Sequence, residues 1–452
     1  MLTGEIVWIS FSTNPDYIVL TEDGLYKVIQ EDTQSEAQVG EFITVKGTPR
    51  KNEVYATEVE MLEGEREGIE KAKIEAFLKK ECKAFDFELL AEDEVMLKLV
   101  KPLKHAAEFM QKEIMRCTPV INRFHNDPDG ATSGILLKNA LLEFAKEKNP
   151  FYEAKWISSK QADSAIFEMK NVHDDVETAK DFCKKPVLSL VDHGANTESV
   201  HALEEAHKNG FKIMIIDHHP YAQEAKSLSQ AFVSAREFGG GSIHCGGLLS
   251  YEFALALSGK ADKKLAEIAM EGDKSTFFKG HLHETLALDY LVTKGKDLKK
   301  YEKVLADKHL VELNYLKATQ AIKKAGEIAH ENTTHVIAGR GKINLVYLKP
   351  LHKLTYPPKG TSVQEVHKHF EGKDYPVVTI GYDDERCIFR VNSYATFKAN
   401  ETIGKIRKEF GSATPSGGGH EKAASMRMQI PRSKEILERV VEEVKKELEG
   451  QE

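Results

Sequence analysis

The chain has 452 residues, 41% hydrophobic and 30% charged, with a formal net charge of -8. At roughly 100 to 200 residues per domain this is two to four domains with real cores, which excludes a disordered or fibrous chain. No stretch approaches the roughly 18 uncharged apolar residues of a membrane helix and Met1–Glu5 opens no secretory leader, so a soluble, cytoplasmic protein is expected. The global acidity confines any polyanion site to a local basic or metal-bearing cleft. Cys82, Cys117, Cys183, Cys245 and Cys387 are scattered and never form CxxC, as reduced, packed thiols would be.

Residues 1–62 alternate in short apolar and polar runs (Glu5–Ile9, Tyr17–Leu20, Leu25–Ile29, Phe42–Gly47, Glu53–Val59), broken by turns such as Asn14-Pro15-Asp16. Five such strands predict an OB-like β-barrel. OB-folds commonly bind single strands, but acids such as Glu5, Glu31, Asp32 and Glu41 outnumber Lys27, Lys46, Arg50 and Lys51, leaving protein docking or plain structural support an equal alternative. Residues 63–118 read as a helical connector, by charge pairing in Glu65–Lys80 and apolar spacing at Leu103, Ala106, Met110 and Ile114. Residues 119–297 alternate apolar strands with amphipathic helices, predicting α/β with a parallel sheet. A Lys-rich helical linker (298–335) and a smaller α/β domain (336–452), closing on a helix over Ser433–Leu448, complete the chain.

Three predicted strands of the central segment run into acids and imidazoles. Val120–Phe124 leads to His125-Asn126-Asp127-Pro128-Asp129-Gly130, Val187–Val191 to Asp192-His193-Gly194, and Lys212–Ile216 to Asp217-His218-His219. A single Asp after a strand is commonly a helix cap. Three at one sheet edge converge on the crevice beyond the strand ends, where open parallel sheets bind ligands. With only Arg123 interleaved, such a cluster repels itself unless cations enter, and mixed Asp/His donors suit Mn²⁺ better than Ca²⁺ or an all-oxygen Mg²⁺ site. Asp127 and Asp129, two residues apart, can each take one ion of a pair, with Asp192 bridging. A helix starting near Ala131 would aim its amides at the same place and favour a phosphate.

These motifs resemble the DHH phosphoesterases. Asp217-His218-His219 resembles the motif that names them, and His125–Ser133 resembles their first motif in its RecJ-like form. Asp192 matches the second motif, Asp273 resembles the fourth, and Gly417-Gly418-Gly419-His420 resembles the GGGH signature of the associated DHHA1 domain. The resemblance spans roughly 119 to 430 and implies two divalent ions, Mn²⁺ or alternatively Mg²⁺, held by Asp127, Asp129, Asp192, His218 and Asp273. It adds His125 as a further ligand and His219 as a supporting catalytic group. One departure stands out: some DHH subfamilies carry a metal-binding His where this chain has Arg123. The resemblance also implies substrate contacts from Arg390, Gly417, Gly418, Gly419 and His420, and from His244 in the loop Gly239–Gly247.

The activity so implied is two-metal hydrolysis of single-stranded DNA, with RNA as a further substrate, from an end, as in archaeal RecJ-like exonucleases of repair or replication. A repair or replication protein would dock through the OB-like module. The alternatives are a phosphodiesterase of short oligonucleotides, cyclic dinucleotides or 3'-phosphoadenosine 5'-phosphate, and a noncatalytic replisome scaffold.

Overall fold

The alternating N-terminal segment forms five strands: β1 (Leu2–Ile9), β2 (Tyr17–Thr21), β3 (Gly24–Ile29), β4 (Phe42–Arg50) and β5 (Glu53–Met61). They close in the order β1-β2-β3-β5-β4, with β4 returning to β1. Ile6, Tyr17, Val19, Val28, Ile43, Val45 and Val54 fill the barrel, as a period of two with one buried face requires. The computed structural model describes residues 1–12, 15–30, 36–295, 297–419 and 421–450, so Asn14, Glu31, Asp32 and His420 lie outside the described residues. Two compact units result, Met1–Leu310 and Val311–Glu452. No described helix is long and apolar enough to cross a membrane.

The connector is two helices, α1 (Glu65–Glu81) and α2 (Glu94–Met115), joined by a non-helical strap over 82–93. The strap is pinned by its backbone: Phe85 N–H donates to Ala256 O at 2.8 Å, Leu90 N–H donates to Glu252 at 2.7 Å, and Lys83 O accepts from Gln111. Trp8 of the barrel stacks on Trp156 with ring centroids 4.1 Å apart, and Lys184 donates to Val7 O, so the barrel is fastened to the layer that follows.

That layer alternates β6 (Val120–Phe124), α3 (Pro128–Lys148), β7 (Ile157–Gln161), α4 (Met169–Ala179), β8 (Val187–Val191), α5 (Val200–Lys208), β9 (Lys212–Ile216), α6 (Gln223–Leu228) and β10 (Ala231–Val233). The sheet order is β10-β9-β8-β6-β7, all parallel. β6 and β8 are buried along their whole length, as strands covered on both faces must be. Ile121, Leu188, Leu190, Ile213 and Ile215 pack with Val172, Leu203 and Ala225 of α4, α5 and α6, each large apolar side chain contributing about 1.5 to 3 kcal/mol. Helices α7 (Gly246–Ser258), α8 (Lys263–Gly272), α9 (His283–Val292) and α10 (Leu298–Leu305) follow, with α7 and α8 packed on α3.

The second unit begins within α11 (Lys308–Glu331) and contains β11 (Thr333–Ala338), β12 (Gly341–Tyr347), α12 (Lys359–Lys368), β13 (Val377–Tyr382), β14 (Arg386–Val391), α13 (Ala399–Phe410), β15 (Gly417–Gly419), β16 (Ala423–Arg427) and α14 (Ser433–Glu449). Its sheet runs β11-β12-β13-β14-β16-β15, with only the β12–β13 pair parallel. The chain is therefore α/β with a five-stranded barrel in front of a parallel sheet.

Candidate metal centre

Strands β9, β8 and β6 are neighbours, so the residues that leave their carboxyl ends meet. Asp192 follows β8 directly and adopts a left-handed backbone at φ 53°, a conformation that Asp tolerates better than most residues, while remaining 1% exposed. Its Oδ1 lies 3.1 Å from His218 Nε2 and 3.5 Å from His219 Nδ1, and its Oδ2 lies 3.4 Å from His125 Nδ1. Two triads with metal-ligand geometry result, His125–Asp192–His219 and Asp129–His218–Asp273. His218 Nε2 joins them, at 3.6 Å from Asp129 and 3.3 Å from Asp273.

Asp127 does two things at once. Its Oδ1 caps α3 by accepting from Gly130 N–H at 2.8 Å, and its Oδ2 lies 2.7 Å from His125 Nδ1. The ordinary cap reading holds, and the same carboxylate stands beside His125 without entering either triad. At the start of α3, Gly130 N–H is taken by Asp127 Oδ1 and Ala131 N–H by Asp127 O. A second carboxyl group is held at the start of α7, where the amides of Gly246 and Gly247 donate to Asp129 Oδ2 and Oδ1 at 2.8 and 2.6 Å. A Cβ on Gly246 would sit 2.7 Å from Asp192 Cβ, and one on Gly247 would sit 2.3 Å from Ala269 Cβ, so only glycine admits this approach.

His219, expected as a supporting group, stands among the ligand donors of the first triad. Its supporter is Asp217, whose Oδ1 accepts from His219 N–H at 3.0 Å and faces its Nδ1 at 2.8 Å, while Oδ2 accepts from Ala195 N–H. Arg123, at the position where some subfamilies carry a histidine ligand, is 2% exposed and turned to α4: it binds both Asp175 oxygens at 2.7 Å, along with Asp174. His244 has both ring nitrogens engaged, Nε2 with Asp93 at 2.8 Å and Nδ1 with Gly241 N–H. Asp93 ends the strap and also caps α2.

Arg390 and the glycines belong to the second unit. Arg390 donates to Gln364, Phe389 O and Gly360 O, with no carboxylate partner among the described residues. Gly417–Gly419 form a short edge strand paired with β16, Gly419 opposite Ala424, one residue beyond the Ala423 that faces Arg390. Gly417–Gly419, expected as substrate contacts, thus run as an edge strand.

The electrostatics of the centre call for cations. Burial, then repulsion from Asp192, Asp273 and Asp127, pushes the Asp129 carboxyl well above the carboxylate range. Burial lifts Asp273 to about 7, with Asp192 and Asp127 adding to it against His218. Burial opposes the charged form of His219, yet Asp217 and Asp192 outweigh it and raise the imidazole to about 9. His125 is raised in the same way by Asp127 and Asp192. Among the described residues no Lys or Arg pairs with any of these carboxylates. Asp192 Oδ1 and Oδ2, His125 Nδ1 and His218 Nδ1 are buried with no partner in hydrogen-bond geometry. These shifts are what a crowded set of buried carboxylates produces when no fixed positive charge stands among them, and the donor set suits divalent cations.

The fold and site together define a parallel α/β domain whose strand ends carry paired Asp/His triads that could hold metal ions. Residues 120–272 match the family model described as DHH family, N-terminal domain. Residues 120–272 are thus a DHH-family domain, and the fold is similar to that of RecJ. It is 24% identical over 519 aligned positions to an uncharacterized protein of Methanocaldococcus jannaschii, across 98% of this chain and 68% of the other. It is similar in structure to the DHH domain of a member of a family of ribosomal proteins, with TM-score 0.75 and 22% identity over 83% of this chain and 98% of that one. It is similar also to RecJ of Thermus thermophilus in complex with Mn²⁺, with TM-score 0.50 and 14% identity over 75% of this chain and 54% of that one.

Proposed function

We propose that the chain is a divalent-metal-dependent phosphodiesterase that hydrolyses single-stranded DNA, with RNA as a further substrate, from an end during repair or replication. The observation that carries this reading is the buried Asp192, a member of one triad of ligand donors whose Oδ1 also lies 3.1 Å from His218 of the other. His125, Asp192 and His219 would hold one ion and Asp129, His218 and Asp273 the other, with Asp127 beside His125. When bound, two such ions neutralise the phosphate and lower the pKa of a water. The mixed donors favour Mn²⁺, with Mg²⁺ as the alternative.

The chain's own contribution is positional. The α7 amides fix Asp129, Asp217 orients His219, and the left-handed turn aims Asp192 inward. Residues 336–452 would act as a DHHA1-type substrate domain through Arg390, Gly417–Gly419 and His420, and the 1–62 barrel would dock a repair or replication protein. Five free cysteines support a reducing, cytoplasmic setting. The test is digestion of single strands labelled at the 5' or the 3' end, compared with a dinucleotide, with Mn²⁺ supplied. A ladder from one end is expected. Cleavage of the dinucleotide alone points to a small-substrate enzyme, and cleavage of neither overturns the enzymatic reading in favour of a scaffold.

A further inference from the structure

Directly after Asp273 the chain reads Lys274-Ser275-Thr276-Phe277-Phe278-Lys279-Gly280-His281-Leu282-His283, with cations and rings interleaved. Both ends of this segment are tied to the helix that delivers Asp273. At one end Ser275 N–H donates to Met270 O at 2.7 Å and Ser275 Oγ donates to Ile243 O at 2.5 Å, next to the loop that leads into the Asp129 cradle. At the other, Glu271 Oε2 accepts from Leu282 N–H at 2.9 Å and from Thr285 Oγ1, and Glu271 Oε1 faces His281 Nδ1 at 3.0 Å. The span between the anchors is Thr276 to His281. No residue of it is more than about three positions from an anchor, which limits its distance from α8 to roughly 10 Å. The whole loop therefore stays beside the metal centre.

Its side chains are of the type that tracks a nucleic-acid strand. Lys274 and Lys279 are exposed and in no ion pair among the described residues, in a chain with a net charge of -8. Lys274 takes the left-handed backbone at φ 57°, which turns the chain sharply after the ligand Asp273. Phe277 packs edge-on against His244, ring centroids 5.5 Å apart, and anchors the loop from below. Phe278 is half-buried and lies over Gly280, where a Cβ would come within 2.4 Å of its Cζ. A partly exposed ring flanked by unpaired lysines offers base stacking and phosphate contact together. Acids dominate the centre itself, so this loop supplies positive charge at its margin.

We propose that the loop 274–283 is a strand-binding platform, in which Phe278 stacks on a base and Lys274 and Lys279 contact phosphates of the single strand whose end is at the metal centre. The proposal rests on the reading of the chain as a single-strand phosphodiesterase. The variants are Phe278→Ala, Phe278→Trp and Lys279→Ala. The readouts are anisotropy of a short labelled single strand with Ca²⁺ supplied, and KM and kcat separately with Mn²⁺. Loss of one stacked base should weaken binding and raise KM roughly 5- to 100-fold in Phe278→Ala, with kcat changed less than about two-fold. Phe278→Trp should restore both to within about two-fold. Lys279→Ala should reduce the slope of log affinity against log salt by about 0.7. A parent that cleaves strands while Phe278→Ala and Lys279→Ala match it in affinity, KM and salt slope overturns this inference alone. A parent that cleaves no strand overturns the functional reading and this inference with it.

Discussion

Glu252, on α7 about a turn and a half beyond the glycines that hold Asp129, is fully buried, and burial raises its carboxyl from the ordinary 4.5 to about 7. One oxygen accepts from Leu90 N–H and the other has no partner. Below about pH 4.5 both folded and unfolded chains carry the proton, and the site contributes nothing to pH dependence. Between 4.5 and 7 the unfolded chain releases the proton while the folded chain keeps it, so stability falls as pH rises. Above about 7 the deficit is constant. At 1.36 kcal/mol per unit this amounts to at most roughly 3 kcal/mol. Glu252→Gln has the same shape, keeps an acceptor for Leu90 and cannot ionise. Urea unfolding of the first unit should give parent and variant nearly equal stability at pH 4.5 and leave the variant more stable by about 2 to 3 kcal/mol at pH 8. A parent-to-variant difference that stays flat from pH 4.5 to 8 would refute the reasoning, because a charge that costs nothing to form cannot be buried.

Three further outcomes are expected. Asp192→Asn, which retains a side chain that tolerates the left-handed turn, should lower bound Mn²⁺ measured by elemental analysis and cut hydrolysis more than about a hundred-fold, with far-UV circular dichroism unchanged; full metal content with near-normal turnover would contradict the shared-ligand geometry. Asp217→Ala should reduce activity about 10- to 100-fold by freeing His219, and should also cost about 1 to 3 kcal/mol because Ala195 N–H loses its acceptor, seen in turnover and urea midpoint together. Gly247→Ala should destabilise by about 1 to 3 kcal/mol through the 2.3 Å approach to Ala269, whereas Gly241→Ala, with open space around it, should melt like the parent in thermal unfolding.

The acids at the ends of β6, β8 and β9 were legible in the sequence because an apolar strand announces its own period and its end, and three such ends carrying carboxylates exceed what helix capping alone accounts for. The barrel was legible for the same reason. The roles of Arg123, His244 and His219 were not, because each depends on which distant segment it faces: Asp174 and Asp175 on α4, Asp93 on the strap, and Asp192 and Asp217 across the strand ends. Loop 82–93 had no periodicity to read, since its backbone is satisfied by side chains and carbonyls of α2 and α7 rather than by its own neighbours.

Local pattern determined the strands, the helices and the residue types offered at the sheet edge, since these depend on neighbours two to four positions away. Tertiary structure decided which offered groups became partners. Gly246 and Gly247 reach Asp129 across more than a hundred residues of chain. No periodicity carries across that separation; only the packing of α7 and α8 on α3 brings those amides to a carboxylate that would otherwise lie buried without donors.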